Sequence, residues 1–454
     1  VKVAIVGTGY VGITTGACLA LLGHDVTCVD IDPTKVETLR AGRAPIFEPH
    51  LEELLAEAWE RLSFTTSYAQ AVPGRAVVFI AVGTPSLGDG SPDLHYLEAA
   101  ATSIGEHLSD GFTVVVNKST VPIGSGNWVD AIVRESYLRH HAGGRAAEVF
   151  TVASNPEFLR EGSAIHDTLY PDRVVIGADD PRGLDVLNRL YRPILDQSFT
   201  PPTFAPRPEE CAAVPLVATD AASAELIKYA ANAFLALKIS YINEIGQLAA
   251  KVGADIIQVA RGTGLDTRIG SRFLQPGVGW GGSCFGKDTA ALVSTACDYG
   301  LAMPIVAASR EVNQHQRDLV VTRLLEELRI LKGRTVGLLG LAFKPNTDDL
   351  RDAPTLDIAR RLIERGARVR LHDPVAMPRL TAEHPDLAAY LCESPEEVAD
   401  GADALVLLTA WPQYLDLDWA KLGVVMRGTL VYDGRYVLEP QRILRAGLRY
   451  LACP

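Results

Sequence analysis

Short apolar runs closed by glycine, proline or polar clusters recur along the chain. Val1 to Val6 ends at Gly7, residues 25–30 (DVTCVD) follow, and residues 76–82 (AVVFIAV) and 112–116 (FTVVV) come next. Residues 149–153 and 173–177 continue the series. Residues 11–22 (VGITTGACLALL) between the first two runs read as a helix that Gly23 stops. Near-continuous apolar strands alternating with helical stretches predict a parallel sheet covered on both faces.

Prolines then crowd the chain at 193, 201, 202, 206 and 208, which marks the best candidate for a domain boundary. Beyond it, residues 221–252 predict one helix with a single interior glycine, Gly246. At 1.5 Å per residue it is roughly 48 Å long, enough to form a domain spine or a subunit interface. In residues 262–286, eight of 25 positions are glycine, and a helix is expected from about Asp288. A second α/β pattern opens at Arg334: RTVGLLGLAF, a helix over 354–365, then the strands VRLHDP, ALVLLTA and LVYDGR. The two α/β halves are alike in kind, with the glycine-rich helical part between them.

Composition narrows the function. At roughly 150 residues per domain, 454 residues suggest two to four domains. A net charge of −12 argues against a bulk attraction to nucleic acid or to an anionic membrane. The seven cysteines are odd in number and form no CxxC pair. Neither a disulfide framework nor a metal site is expected, and a reducing cytoplasm fits best. No apolar run reaches the length of a membrane span, and no signal peptide is expected, because the first residues already read as a strand.

Gly7-Thr8-Gly9-Tyr10-Val11-Gly12 is a G-x-G-x-x-G turn between a strand and a helix. In that context the glycines serve the tight turn, close approach to a pyrophosphate, and helix–strand packing. Asp30 closes the second strand, where a carboxylate accepts from a ribose 2′-OH and repels a 2′-phosphate; this favours NAD over NADP. Gly83-Thr84-Pro85 and Ser119-Thr120-Val121-Pro122 follow two further strands, as ligand loops or as plain turns.

Cys284 lies between glycines in GGSCFGKD, with Lys287 beside it and a helix N-terminus following. Both favour a thiolate, the setting of a nucleophile. Lys228 and Asn232 share a helix face in a mostly apolar stretch, so the lysine either snorkels to water or is held in a site. Glu157 follows a strand and reads either as a site acid or as a favourable acid at a helix N-terminus.

These pieces together resemble the UDP-glucose/GDP-mannose dehydrogenases. GTGYVG, VGTP, KSTVP, NPEFLREG, PDRVVIG, AELIKYAANAF, GWGGSCFGKD, LGLAFKPNTDDLR and DGR run in family order from residue 7 to residue 435. The resemblance implies two Rossmann-like domains, 1–212 for NAD and 308–454 for the nucleotide of the sugar. It places a central helical, dimerising domain at 213–307. It further implies a nucleotide-sugar substrate, UDP-glucose in the first place, oxidised at a primary alcohol in two steps with two NAD, and a homo-oligomer that is at least a dimer.

Carried over residue by residue, Cys284 matches the nucleophile. Lys228 and Asp288 match a pair that positions water and helps remove the alcohol proton, and Lys228 and Asn232 match an oxyanion site. Glu157 matches the base for thioester hydrolysis and Thr120 a water-positioning hydroxyl. Gly7, Gly9, Tyr10, Val11, Gly12, Asp30, Lys35, Gly83, Thr84, Pro85, Ser119, Thr120, Glu161 and Arg351 match cofactor positions. Beside the catalytic groups, Phe158, Leu159, Arg268, Phe273, Gly281, Phe285, Lys344 and Arg435 match substrate positions, with Arg268 expected from a neighbouring subunit. The chain departs from the family pattern at His50, where glycine is frequent. Other readings are the same chemistry on GDP-mannose or a UDP-N-acetylhexosamine, a non-catalytic NAD-binding regulator, and a dehydrogenase of small alcohols. DTLYPDRVVIG favours UDP-glucose within the family. The retained Cys284, Lys228 and Glu157 speak against a regulator, and Lys344 and Arg435 against a small alcohol.

Overall fold

The computed structural model describes residues 1–85, 87, 92–109, 111–141 and 145–453. The chain divides into two compact units, Val1–Ala230 and Ala231–Pro454.

The first unit is built on eight strands: β1 (Lys2–Val6), β2 (Asp25–Val29), β3 (Leu62–Thr65), β4 (Val77–Ile80), β5 (Thr113–Asn117), β6 (Phe150–Ser154), β7 (Val174–Ala178) and β8 (Leu216–Thr219). Their order is β3-β2-β1-β4-β5-β6-β7-β8. The first six follow the doubly wound order whose ligand crevice lies where the winding reverses, between β1 and β4. The sheet is mixed rather than parallel throughout, because β7 runs antiparallel to β6. Only two residue pairs join those strands, so the hydrophobic runs of 149–153 and 173–177 gave no sign of their relative direction. Alternate residues of β1 feed separate cores on the two sheet faces: Val3 and Ile5 on one, Ala4 and Val6 on the other.

The second unit carries β9 (Thr335–Leu339), β10 (Arg368–His372), β11 (Ala404–Leu407), β12 (Leu430–Asp433) and β13 (Arg449–Ala452). They form a wholly parallel sheet of order β10-β9-β11-β12-β13. This is the second common doubly wound order, with its switch between β9 and β11. In chain order the long helix Ala221–Val252 and the helices Ile256–Gly264, Phe285–Asp298 and Pro304–Leu328 come between the two sheets. Among the described residues no helix is long and apolar enough to cross a membrane.

The G-x-G-x-x-G turn has the geometry its glycines imply. Gly7 takes φ +96°, and a Cβ on Gly12 would lie 1.9 Å from the Gly7 carbonyl oxygen. A Cβ on Gly9 would meet nothing within 4 Å. The fold itself therefore does not require the second glycine, whereas a ligand lying on the bare backbone does. The helix Tyr10–Leu21 that follows has no side-chain cap and no acid in its first turn, so its N–H groups face outward for an anion. These residues fit a dinucleotide.

Asp30 is buried and braces this turn. Its Oδ2 accepts from the Thr8 amide at 2.7 Å and the Thr8 hydroxyl at 2.6 Å, and its Oδ1 accepts from the Asp32 amide at 3.0 Å. Burial works against its charge, but these hydrogen bonds and the field of Lys35 hold the carboxyl below its usual range. His50, at the frequent-glycine position, takes φ +63° and stacks on Phe204 at 5.9 Å. Left-handed backbone there explains why glycine suits the site. Replacing Asp30 with Ala orphans the Thr8 amide and removes the carboxylate that follows β2. A loss of about 1–3 kcal/mol predicts that kcat/KM for NAD drops by about fivefold to about 150-fold. The preference over NADP should narrow at the same time. Steady-state kinetics with both cofactors checks this, and equal use of both by the unaltered protein would contradict the placement of Asp30.

Candidate active site

In the first unit the candidate residues gather where strands end. Ser119 Oγ donates to the Val82 carbonyl at 2.8 Å, and Thr84 Oγ donates to the Thr120 carbonyl at 2.9 Å. The loops after β4 and β5 are thereby locked together, with Gly83, Pro85 and Thr120 held in place. After β6 the chain continues through Asn155 to Gly162 without helix; the next helix is Ala164–Leu169. Glu157 is therefore not an acid at a helix N-terminus. Its Oε1 accepts from Lys228 Nζ at 2.8 Å and its Oε2 from the Leu159 amide at 2.6 Å, while Lys228 also donates to the Glu157 carbonyl at 2.6 Å. Lys228 is 3% exposed and Glu157 7%, so the lysine is held and does not snorkel. Burial would raise the Glu157 carboxyl, but the Lys228 ammonium and the Leu159 amide keep it below the ordinary carboxylate range.

Neighbouring groups extend this cluster. The Phe158 ring has Arg173 3.7 Å from its centroid and Lys228 Nζ 5.4 Å from it. Tyr10 donates to Glu48 and accepts from the Gly162 amide at 2.7 Å, and Glu48 accepts from the amides of Gly162 and Ala164. The tyrosine of GTGYVG thus ties the dinucleotide turn to the loop that carries Glu157 and Glu161. A cavity of about 10 Å³, the size of one water, is lined by Asn117, Thr120, Ser154, Glu225 and Lys228 among others.

In the second unit Asn232 Nδ2 donates to Asp288 Oδ2 at 2.6 Å, with both residues buried. Lys287 Nζ lies 3.7 Å from Asp288 Oδ1. The helix expected near Asp288 begins at Phe285, which makes Cys284 its N-cap and puts Asp288 in its first turn. The Cys284 sulfur thus sits at the positive end of a helix dipole, with Ser283 Oγ at 3.5 Å. Burial pushes the thiols of Cys18 and Cys28 up to about 12 and that of Cys453 to about 11.

The glycines before Cys284 admit close neighbours, backbone at Gly281 and the Phe343 ring at Gly282. A Cβ on Gly281 would lie 2.3 Å from the Asp352 carbonyl oxygen, and Gly282 takes φ +89°. The Val278 amide donates to the Gly434 carbonyl at 3.0 Å and the Gly282 amide to the Arg351 carbonyl at 2.9 Å. The segment is therefore clamped against the loops after β9 and β12. Arg435 fastens the clamp, donating to the carbonyls of Leu408, Gly279 and Phe343, and burial pushes it down to about 10. Phe273 and Phe285 meet edge to face at 6.2 Å, and Lys344 Nζ lies 5.3 Å from the Phe343 ring centroid.

Arg268 is solvent-exposed and pairs with Asp266 at 2.6 Å, while Arg351 is half-exposed and forks onto Asp349. Sequence reasoning missed Lys118, Asn155, Arg173 and Glu225. Lys118 and Arg173 had a signal, since each is a cation abutting a buried strand.

Comparison with known proteins matches this geometry to one family. Three models of the UDP-glucose/GDP-mannose dehydrogenase family fit the chain: the NAD binding domain over residues 1–195, the central domain over 222–315 and the UDP binding domain over 337–440. NAD is accordingly the cofactor of the first unit. A UDP-glucose 6-dehydrogenase of Rhizobium meliloti (strain 1021) is 46% identical over 99% of this chain and 98% of its own. The structure of a UDP-glucose dehydrogenase from the archaeon Pyrobaculum islandicum superposes with a TM-score of 0.86 at 44% identity, covering 96% of this chain and 94% of that one. A GDP-mannose dehydrogenase from Pseudomonas aeruginosa is more distant, with a TM-score of 0.53 and 31% identity over 96% of this chain and 97% of its own. Matched along nearly its whole length by its models and relatives alike, the chain belongs to the UDP-glucose/GDP-mannose dehydrogenase family.

Proposed function

We propose that the protein oxidises C6 of UDP-glucose to the carboxylate of UDP-glucuronate, with two NAD consumed per sugar. The observation that carries this reading is the buried pair in which Lys228 holds an ionised Glu157. UDP-glucose is preferred to GDP-mannose because the relatives named for UDP-glucose are nearer in sequence and fold.

The Gly7–Gly12 turn and Asp30 hold the dinucleotide. NAD held there would supply the hydride acceptor for both oxidations, of the alcohol to an aldehyde and of a thiohemiacetal on Cys284 to a thioester. Water positioned by Lys228 and Asp288 takes the alcohol proton. The Cys284 thiolate adds to the aldehyde carbon, and the oxyanion so formed meets the Lys228 ammonium and the Asn232 amide. The ionised Glu157 then takes a proton from water as the water attacks the thioester, with Thr120 aligning that water and the thiolate of Cys284 leaving. Lys344 and Arg435, at strand ends of the parallel sheet, serve the diphosphate and sugar.

A second copy completes the assembly. Phe234, Tyr241 and Leu248, spaced by seven, and Val252 are all exposed on the long helix. So broad an apolar stripe suits an interface between copies, and the exposed Arg268 is placed to be lent to a neighbour. Seven free thiols suit a reducing cytoplasm.

Glu157→Gln keeps the shape and an acceptor for Lys228 but removes the base. After mixing with NAD and UDP-glucose, intact-protein mass spectrometry should show a sugar adduct that maps to Cys284 and is released by hydroxylamine. Normal turnover, or an adduct elsewhere, would refute the roles given to Cys284 and Glu157. For the assembly, Tyr241→Glu combined with Leu248→Glu should halve the mass measured by light scattering or reduce it further. An unchanged mass would place the interface elsewhere.

A further inference from the structure

β5 reads Thr-Val-Val-Val-Asn and is buried throughout. Side chains alternate along a strand, so its last residue, Asn117, shares a sheet face with Val115. That face belongs to the core covered by the helix Ser125–His140, which contributes Val129 and Val133. Asn117 is 2% exposed, and among the described residues neither its Oδ1 nor its Nδ2 has a hydrogen-bond partner. A buried amide without partners is costly, and a fourth valine would avoid that cost. The amide therefore serves a group that the neighbouring residues do not supply.

Asn117 borders the cavity of about 10 Å³ together with Thr120, Ser154, Glu225 and Lys228. Glu225 is buried and stands on the long helix, about one turn before Lys228. Its Oε2 accepts from the Gly124 amide at 2.7 Å, and its Oε1 from the Gly126 amide at 3.0 Å and from Ser154 Oγ at 2.9 Å. It thereby caps the helix Ser125–His140, whose N-cap is Gly124 and has no side chain to do so. A carboxylate offers about four acceptor sites, so Oε2 keeps room for one more donor. Burial pushes the Glu225 carboxyl above its usual range despite these three bonds, and a further donor would counter that. The cavity is thus polar, as large as one water, and walled by enough hydrogen-bonding groups to hold it.

We propose that this cavity is the site of one buried water molecule, held by the Asn117 amide and the Glu225 carboxylate, and that through it Asn117 is a positioning residue for Thr120. A water there accepts from Asn117 Nδ2 and donates to Glu225 Oε2, which ties the end of β5 to the long helix. It is not the water that attacks the thioester: Asn117, Ser154 and Glu225 lie outside the catalytic set, and this water is not consumed. Thr120 is anchored through its carbonyl, by Thr84 Oγ at 2.9 Å. The bound water adds a second support to the wall that Thr120 forms. The water site stands on the geometry alone. Its effect on turnover rests on the reading of Thr120 as the group that aligns the attacking water.

High-resolution diffraction from the unaltered chain tests the site directly. A water should appear within hydrogen-bond distance of both Asn117 and Glu225, and density without one would overturn the inference. Asn117→Leu keeps the volume and removes the amide. If the amide had no partner, the exchange would remove a penalty and raise Tm; with the water in place, Tm should fall. In that variant kcat should drop about tenfold, the size of one lost hydrogen bond, without a rise in KM for UDP-glucose or NAD. Because the affected step is hydrolysis, intact-protein mass spectrometry during turnover should show a sugar adduct on Cys284. A fold that is merely weakened would not produce that adduct. Asn117→Ser keeps a hydroxyl and leaves room for solvent, so it should retain most of the rate. If it loses as much as Asn117→Leu, side-chain volume governs and the inference falls. Thr120→Val separates the two claims. If it accumulates the adduct while Asn117→Leu does not, the positioning role alone falls. If it turns over normally, Thr120 does not align the attacking water, and the positioning role falls with that reading while diffraction still decides the water site.

Discussion

An ammonium group taken out of water has to be met by an anion, and the first unit meets Lys228 with Glu157 at 2.8 Å. Breaking such a buried pair by removing one partner costs about 3–5 kcal/mol, since the survivor is left charged and uncompensated. Much of the surrounding architecture follows from keeping that pair dry and aligned. The loop carrying Glu157 is tied down by Glu48 and Tyr10 at one end and by Asn155 at the other. Lys228 is fixed by its place on a helix of 32 residues. The pair is a poor source of stability compared with apolar packing of the same volume. It holds a cation and an ionised carboxylate where water cannot screen them.

Bare backbone is the second constraint. At Gly12 the helix packs on the turn of β1 so closely that a Cβ would overlap the Gly7 carbonyl. At Gly281 the same condition holds against Asp352. In the first case the helix N-terminus is offered to a pyrophosphate, and in the second to the sulfur of Cys284. Both halves therefore use one device: a glycine lets backbone pack closely just ahead of the positive end of a helix.

The periodicity of the chain revealed much of this. Residues 221–252 read as one helix, and the structure forms it as Ala221–Val252. The strands that carry the dinucleotide turn and the second α/β half were equally plain, because buried parallel strands are continuous apolar runs. The four-residue strands β3, β8 and β13 were not, being too short and too mixed in polarity to stand out. The reversal of β7 against β6 leaves no mark in the residues themselves. Among site residues, Cys284 declared itself through its glycines. Lys228 did not, because an apolar helical context suits a snorkelling lysine and a buried one alike; its partner Glu157 lies 71 positions away. The closeness of Asn155 to Lys118 was hidden for the same reason, since only the sheet brings the ends of β5 and β6 side by side.

The central claim is that one covalent sulfur intermediate carries the sugar through both oxidations. Its most direct test is stoichiometric: limiting UDP-glucose is converted to completion with excess NAD while NADH and sugar products are counted. The account predicts two NADH for each sugar, UDP-glucuronate as the product and no free aldehyde in solution. A single NADH per sugar with released aldehyde would contradict it.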